Sequence, residues 1–220
     1  MNVRIKRRNI FLIICLIVVA DQALKIYVKT HFHPGESHPV LGSWFRLYFI
    51  ENEGMAYGWK FGGGFGKIAL TLFRLAAVIF GVFYIKRIIE KKYHPGYIIC
   101  VALVFAGALG NLIDSMFYGM IFDKSSFNTS AIASIFPNRG YAEFLHGNVV
   151  DMLYLPIFHV DHLPQWIPFF GGKSFSFFNY IFNIADASVS IGVIAILLFK
   201  KRFFKASQED PDSKTIAVSE

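Results

Sequence analysis

The sequence predicts a membrane all-α fold: four transmembrane helices with a small extracytoplasmic β-rich unit and a long outer loop. Three observations predict it. The 220 residues are 55% hydrophobic and 17% aromatic, too apolar for a soluble domain of this size. Four apolar runs are each long enough to cross a hydrocarbon core about 30 Å thick. Short basic clusters flank those runs, so the formal charge of +7 is a topology signal and not the mark of a nucleic-acid partner.

The first span is Asn9 to Val28, preceded by Arg4-Ile-Lys-Arg-Arg8. Its apolar core alone resembles a signal peptide. No small-x-small cleavage site follows, however, and the pattern continues through Asp21 to Val28, which makes it a retained helix. The second span runs from Lys67 to Tyr84, the third from Tyr97 to about Tyr118, and the fourth from Phe177 to Phe199. Basic residues follow the second span (Lys86, Arg87, Lys91, Lys92) and the fourth (Lys200, Lys201, Arg202, Lys205). With the N-terminal cluster they put both termini and the 86–96 loop in the cytoplasm.

Residues 1–205 then form a single integral membrane domain, and 206–220 a polar, disordered cytoplasmic tail. Two outer segments remain. Residues 29–66 hold the aromatic and β-branched stretch Val40 to Ile50, read as strands and turns at the membrane interface. Residues 120–176 form the long aromatic outer loop, with several Pro and Gly. Cys15 and Cys100 lie inside apolar runs, which argues against a disulfide framework or a thiolate metal site. His159 and His162 read as a solvated loop pair, so no metal or cofactor is expected.

The chemistry centres on Asp186, the one charged group within the fourth run between Tyr180 and Phe199. An acid at membrane depth costs about 2.5–3.5 kcal/mol on insertion scales, so it reads as functional and in need of a partner. At about 1.5 Å of rise per residue, Asp21 lies roughly 20 Å from Arg8, Asp114 roughly 25 Å from Tyr97, and Asp186 roughly 21 Å from Lys200. Three carboxylates thus share one level in the outer part of the membrane. Independent helix-gluing hydrogen bonds would have no reason to do so. An ion-coupled transporter using the same acids is the alternative, though its groups usually lie at the midplane. An assembly subunit is a third reading. Asn111 and Asp114 repeat the spacing of Asn183 and Asp186, expected to share a helical face, and Gly107 and Gly110 allow another backbone to come close.

These residues resemble bacterial lipoprotein signal peptidase, or signal peptidase II. Asp21-Gln-Ala-Leu-Lys25 looks like the family's first-helix Asp…Lys motif, and Asn52-Glu-Gly54-Met-Ala-Tyr-Gly58 like its Asn-x-Gly-x-Ala-aromatic-Gly loop. Gly107 to Asp114 looks like Gly-x-x-Gly-Asn-x-x-Asp, Gly147 to Asp151 like Gly-x-Val-Val-Asp, and Phe182 to Asp186 like Phe-Asn-x-Ala-Asp. The resemblance implies an intramembrane aspartyl endopeptidase of the bacterial cytoplasmic membrane, with Asp151 and Asp186 as the catalytic dyad. Its substrate would be a prolipoprotein cut just before a diacylglyceryl-modified cysteine, and globomycin its inhibitor. Asn111, Asp114 and Asn183 would orient the dyad or bind substrate, Asn52 and Gly54 would line its path, and Asp21 and Lys25 would give structural support.

The chemistry suits the residue types. Two close carboxylates share a proton and can act as base and acid on one water, without a metal or a nucleophilic side chain. The sequence also departs from the family pattern. Ser115 stands where an Arg usually follows the third-helix Asp, which leaves that Asp without its usual cation and makes Arg74 a candidate replacement. Met120 to His146 is an insertion, and within it Asp123 competes with Asp151 for the dyad. Asp151 is preferred because Met-Leu-Tyr-Leu-Pro follows it, whereas a polar, solvated stretch follows Asp123.

Overall fold

The computed structural model describes residues 5–42, 44–52, 64–126, 132–166, 168, 171–177 and 179–208. Its elements in order are α1 (Arg7–His31), β1 (Ser37–Leu41), β2 (Phe45–Asn52), α2 (Gly64–Glu90) and α3 (Pro95–Ile113). A π-helical turn (Asp114–Tyr118) leads into a short α4 (Gly119–Ile121). Then come β3 (Val149–Tyr154), β4 (Phe158–Val160), β5 (Phe175–Phe177), β6 (Ile181–Phe182) and α5 (Ile184–Gln208).

Among the described residues three helical stretches are long and apolar enough to cross a membrane: Arg7–His31, Phe65–Glu90 and Pro95–Ile121. Their apolar side chains point outward to an unusual degree, with Leu16, Phe73 and Phe83 each about two-thirds exposed or more. That is the surface a lipid-facing helix presents. The membrane helical class with a small sheet therefore stands. α5 is 25 residues long and carries Asp186 near its start and Lys200, Lys201 and Arg202 toward its end.

The fourth run departs from expectation. Residues from Phe177 onward were read as helix, yet Phe177 closes β5, Ile181 and Phe182 form β6, and the helix starts only at Ile184. Phe182 and Ile181 pair with Leu153 and Tyr154 of β3, which takes their main-chain groups out of any helical ladder. A short apolar run fits a buried strand as well as a helix. Asn183 consequently precedes the helix instead of sharing its face with Asp186.

The chain divides into two compact units. One contains the described parts of Met1–Gln22, Ile68–Ile113 and Ile184–Glu220. Its core gathers Ile10, Ile85, Ile88, Tyr97, Ile98, Cys100, Ala102 and Phe203. α3 and α5 approach closely because glycine faces backbone. A Cβ on Gly107 would collide with the Ala185 carbonyl oxygen, and one on Gly192 would stand 2.7 Å from the Cys100 carbonyl oxygen. Pro95 opens α3, where its missing N–H is no loss.

The other unit comprises the described parts of Ala23–Lys67 and Asp114–Asn183. It holds an antiparallel sheet in the order β1-β2-β3-β6 and a separate β4-β5 pair. The sheet was expected within 29–66 alone, but β3 comes from the second outer segment and β6 from the start of the run read as the fourth span. Val28, Phe32, Phe49, Tyr118, Phe122, Val150 and Met152 form its core. In the β2–β3 register Ile50 faces Asp151, Glu51 faces Val150 and Asn52 faces Val149. Asp151 is thereby carried at the middle of a paired strand rather than on a loop.

Candidate active site

Asp151 is almost wholly buried on β3. Burying a carboxylate requires donors, and two amides supply them. Asn183 Nδ2 donates to Oδ1 at 2.7 Å and also reaches the Val150 carbonyl at 3.3 Å. Asn52 Nδ2 donates to Oδ2 at 3.3 Å. Gly54, predicted to line the substrate path beside Asn52, lies outside the described residues.

Asp186 occupies the first turn of α5 and is half-buried. Asn111 Nδ2 of α3 donates to its Oδ1 at 2.7 Å. Asp21 supports the same turn from α1, since its Oδ1 accepts the Ala185 N–H at 2.9 Å. That N–H is one of the donors left without an intrahelical partner at a helix start, and a carboxylate suits the positive end of the helix dipole. Gly110 makes room for this contact, because a Cβ there would sit 2.8 Å from Asp21 Oδ2. Gln22 adds a bond from its Nε2 to the Gly110 carbonyl at 3.2 Å. These contacts bring Asp21, Gly110, Asn111 and Asp186 together.

Asp114 has a different office. It is fully buried at the start of the π-turn, a feature that often marks functional positions. Its Oδ2 meets Lys25 Nζ at 2.8 Å, with both side chains inaccessible to solvent, and accepts the Val150 N–H at 3.3 Å. A cation therefore reaches this carboxylate even though Ser115 stands where the family has Arg. It comes from Lys25, four residues after Asp21 on α1. Gly147 completes the joint. Its N–H donates to the Ser115 carbonyl at 2.9 Å, and a Cβ on it would collide with the Asp114 carbonyl oxygen. The glycine of Gly-x-Val-Val-Asp thus lets the strand bearing Asp151 pass against the π-turn.

The rival, Asp123, is committed elsewhere. Its two oxygens accept the Ser134 N–H and hydroxyl, both at 2.7 Å. Together with the Phe122–Ile135 bridge, this closes the base of the insertion.

Sequence reading missed a further set of polar residues beside Asn52. Lys29, fully buried at the end of α1, forms an ion pair with Glu51 and bonds Ser125 Oγ at 3.0 Å. Glu51 also accepts from Ser125 Oγ at 2.7 Å and from Asn148 Nδ2 at 2.9 Å. Asn148 receives Lys67 Nζ on its side-chain oxygen and gives its own N–H to the Tyr141 hydroxyl at 2.6 Å. Burial first of all, with Glu51 and Asp114 nearby, pushes the Tyr141 phenol above its ordinary value, against the Asn148 N–H that lowers it. The spacing of Asp21, Lys25 and Lys29, four residues apart on one helical face, was the available signal.

Comparisons with known proteins agree with one another. A sequence model of the family described as Signal peptidase (SPase) II matches residues 13–202. A lipoprotein signal peptidase of Porphyromonas gingivalis is 43% identical over 188 residues, covering 84% of this chain and 80% of that one. One from Amoebophilus asiaticus is 30% identical over 208 residues, covering 93% and 83%. A solved bacterial membrane enzyme superposes with a TM-score of 0.57 at 25% identity, covering 90% of this chain and 96% of that one. A second superposes at 0.56 and 24% identity, covering 96% and 97%, and speaks to the fold alone.

Proposed function

The chain belongs to the signal peptidase II family, and from that premise we propose how its residues carry out the reaction. It is an aspartic peptidase of the membrane that processes prolipoproteins, and the transporter alternative has no support among its relatives.

The dyad we assign is Asp151 and Asp186. The observation that supports it is the matched hold on each acid: one asparagine Nδ2 on one carboxylate oxygen at 2.7 Å, from Asn183 for Asp151 and from Asn111 for Asp186. An amide donor fixes a carboxylate's orientation without neutralising it as a salt bridge would. Asp114, by contrast, is matched with Lys25 and suited to support. In the reaction one carboxylate takes a proton from water, whose oxygen attacks the scissile carbonyl carbon. The other, protonated, stabilises the oxyanion, and a proton passes to the leaving amine as the C–N bond breaks. Asn52, at the end of β2 and bonded to Asp151, orients substrate backbone in this reading, a role the family resemblance extends to Gly54.

The scissile bond is the one just before a diacylglyceryl-modified cysteine. α5 serves as the fourth span, both termini are cytoplasmic, and the acids act near the outer face of the inner membrane. Acyl chains lie against the Phe-rich helices, where each buried methylene contributes about 0.8 kcal/mol. Globomycin competes for the same place. Purified enzyme should cut a lipidated precursor, be blocked by globomycin, and leave the unlipidated precursor intact. Equal cleavage of the two precursors would refute this substrate assignment.

A further inference from the structure

The lysine at the end of α1 has no part in the chemistry above, yet it is one of the most completely buried side chains in the sheet-bearing unit. A lysine so placed loses its hydration and needs strong compensation. It receives the Glu51 carboxylate, the Ser125 hydroxyl, and the faces of Tyr141 and Phe122, whose centroids lie 5.1 and 5.2 Å from Nζ. These partners come from two places, and Glu51 links them to a third. Glu51 belongs to β2 and is next in sequence to Asn52. Ser125, Phe122 and Tyr141 belong to the insertion between the π-turn and β3. Asn148, held by Glu51, is the residue just before β3.

We propose that Lys29 and Glu51 are positioning residues for Asp151, and that Phe122, Ser125 and Tyr141 of the insertion are fastened onto them to complete this support. The proposal rests on the assignment of Asp151 to the dyad. Glu51 ties the start of β3 to β2 through Asn148 Nδ2, three positions before Asp151, which the register puts opposite Ile50. The same strand end carries Asn52, whose amide reaches the Asp151 carboxylate. The β2–β3 pairing is irregular between Leu47 and Ile50, which sets the three regular pairs from Ile50–Asp151 to Asn52–Val149 apart from the rest of the ladder. The ion pair and the Glu51–Asn148 bond add side-chain ties to this short stretch. The insertion contributes Ser125 to both charges and Tyr141 to the Asn148 N–H. Its polar residues thus serve the site from behind.

The experiment uses full-length enzyme in detergent or nanodiscs with a lipidated precursor, and rates are divided by the amount of folded, monodisperse protein. Glu51→Gln keeps the shape but removes the charge that holds Lys29. It should lower kcat about tenfold with KM nearly unchanged, as expected when a catalytic group is slightly misplaced. Lys29→Met should do the same, and Lys29→Arg should recover much of the loss. In an Asn52→Ala background Glu51→Gln should cost clearly less, because the two act through one carboxylate. Wild-type kcat per folded Glu51→Gln enzyme would overturn the proposal, as would a loss confined to KM or full additivity with Asn52→Ala. If Lys29→Met does not fold, Glu51→Gln decides alone. Failure of the underlying assignment looks different: wild-type enzyme would be active and Asp151→Asn would be active too.

Discussion

Asn183 spends its amide nitrogen on two acceptors in β3, the Val150 carbonyl at 3.3 Å and Asp151 Oδ1 at 2.7 Å. Both contacts require Nδ2, so the amide has one orientation, and it lies fully buried just before α5 begins. The residue that orients one acid is therefore three positions from the other in the chain. Asn183→Ala should leave Asp151 short of a donor at a cost of about 1–3 kcal/mol. Thermal unfolding should fall accordingly, and cleavage should fall more than the folded fraction does. Asn183→Asp should be worse, since it sets a second carboxylate against Asp151.

The Lys25–Asp114 pair gives a prediction about stability. With both side chains buried and 2.8 Å apart, removing either partner leaves an uncompensated charge. Lys25→Met or Asp114→Asn should cost about 3–5 kcal/mol, seen as a lower unfolding temperature or loss of inserted protein. The double variant should recover part of that loss, because neither charge then remains. Simple additivity of the two losses would show that the pair is not coupled.

Gly147 tests the joint between the π-turn and β3. A methyl group there meets the Asp114 carbonyl oxygen, which is backbone and cannot swing aside. Gly147→Ala should destabilise by about 1–3 kcal/mol through overpacking. Val150, whose N–H reaches Asp114, and its neighbour Asp151 would shift with it. Reduced kcat in the protein that still folds is the expected result.

Much of this architecture is legible in the sequence because its signals are local. Helical periodicity and apolar run length locate the three spans Arg7–His31, Phe65–Glu90 and Pro95–Ile121. The duplicated Asn-x-x-Asp drew attention to Asn111, Asp114, Asn183 and Asp186 but does not tell which acid each amide holds. Asn111 serves Asp186, 75 positions away, and Asn183 serves Asp151, 32 positions back. Such partners are set by tertiary packing, which spacing does not encode. The start of α5 was misread for a related reason: whether Ile181 and Phe182 extend a helix or join a sheet depends on β3 being there to pair with. Lys29 was overlooked because a lysine near a helix end ordinarily reads as a solvated charge. Its buried state depends on Glu51 and on an insertion whose polar sequence suggested an exposed loop.

The assignment of the dyad is decided by four substitutions. Asp151→Asn and Asp186→Asn should each leave the protein folded and inserted, since Asn has nearly the shape of Asp and is easier to bury than a charged carboxylate. Each should abolish cleavage, because an amide can neither take a proton from water nor return one to the amine. The double variant should be no slower than either single, as for groups that act as a unit. Asp123→Asn keeps an oxygen for Ser134 and should cut at close to the wild-type rate, with at most a small loss of stability. The assay is cleavage of a purified lipidated precursor, with folded protein measured alongside. An active Asp151→Asn with an inactive Asp123→Asn would move the dyad to Asp123 and Asp186. It would then leave the two amide bonds on Asp151 as a purely structural hold on β3.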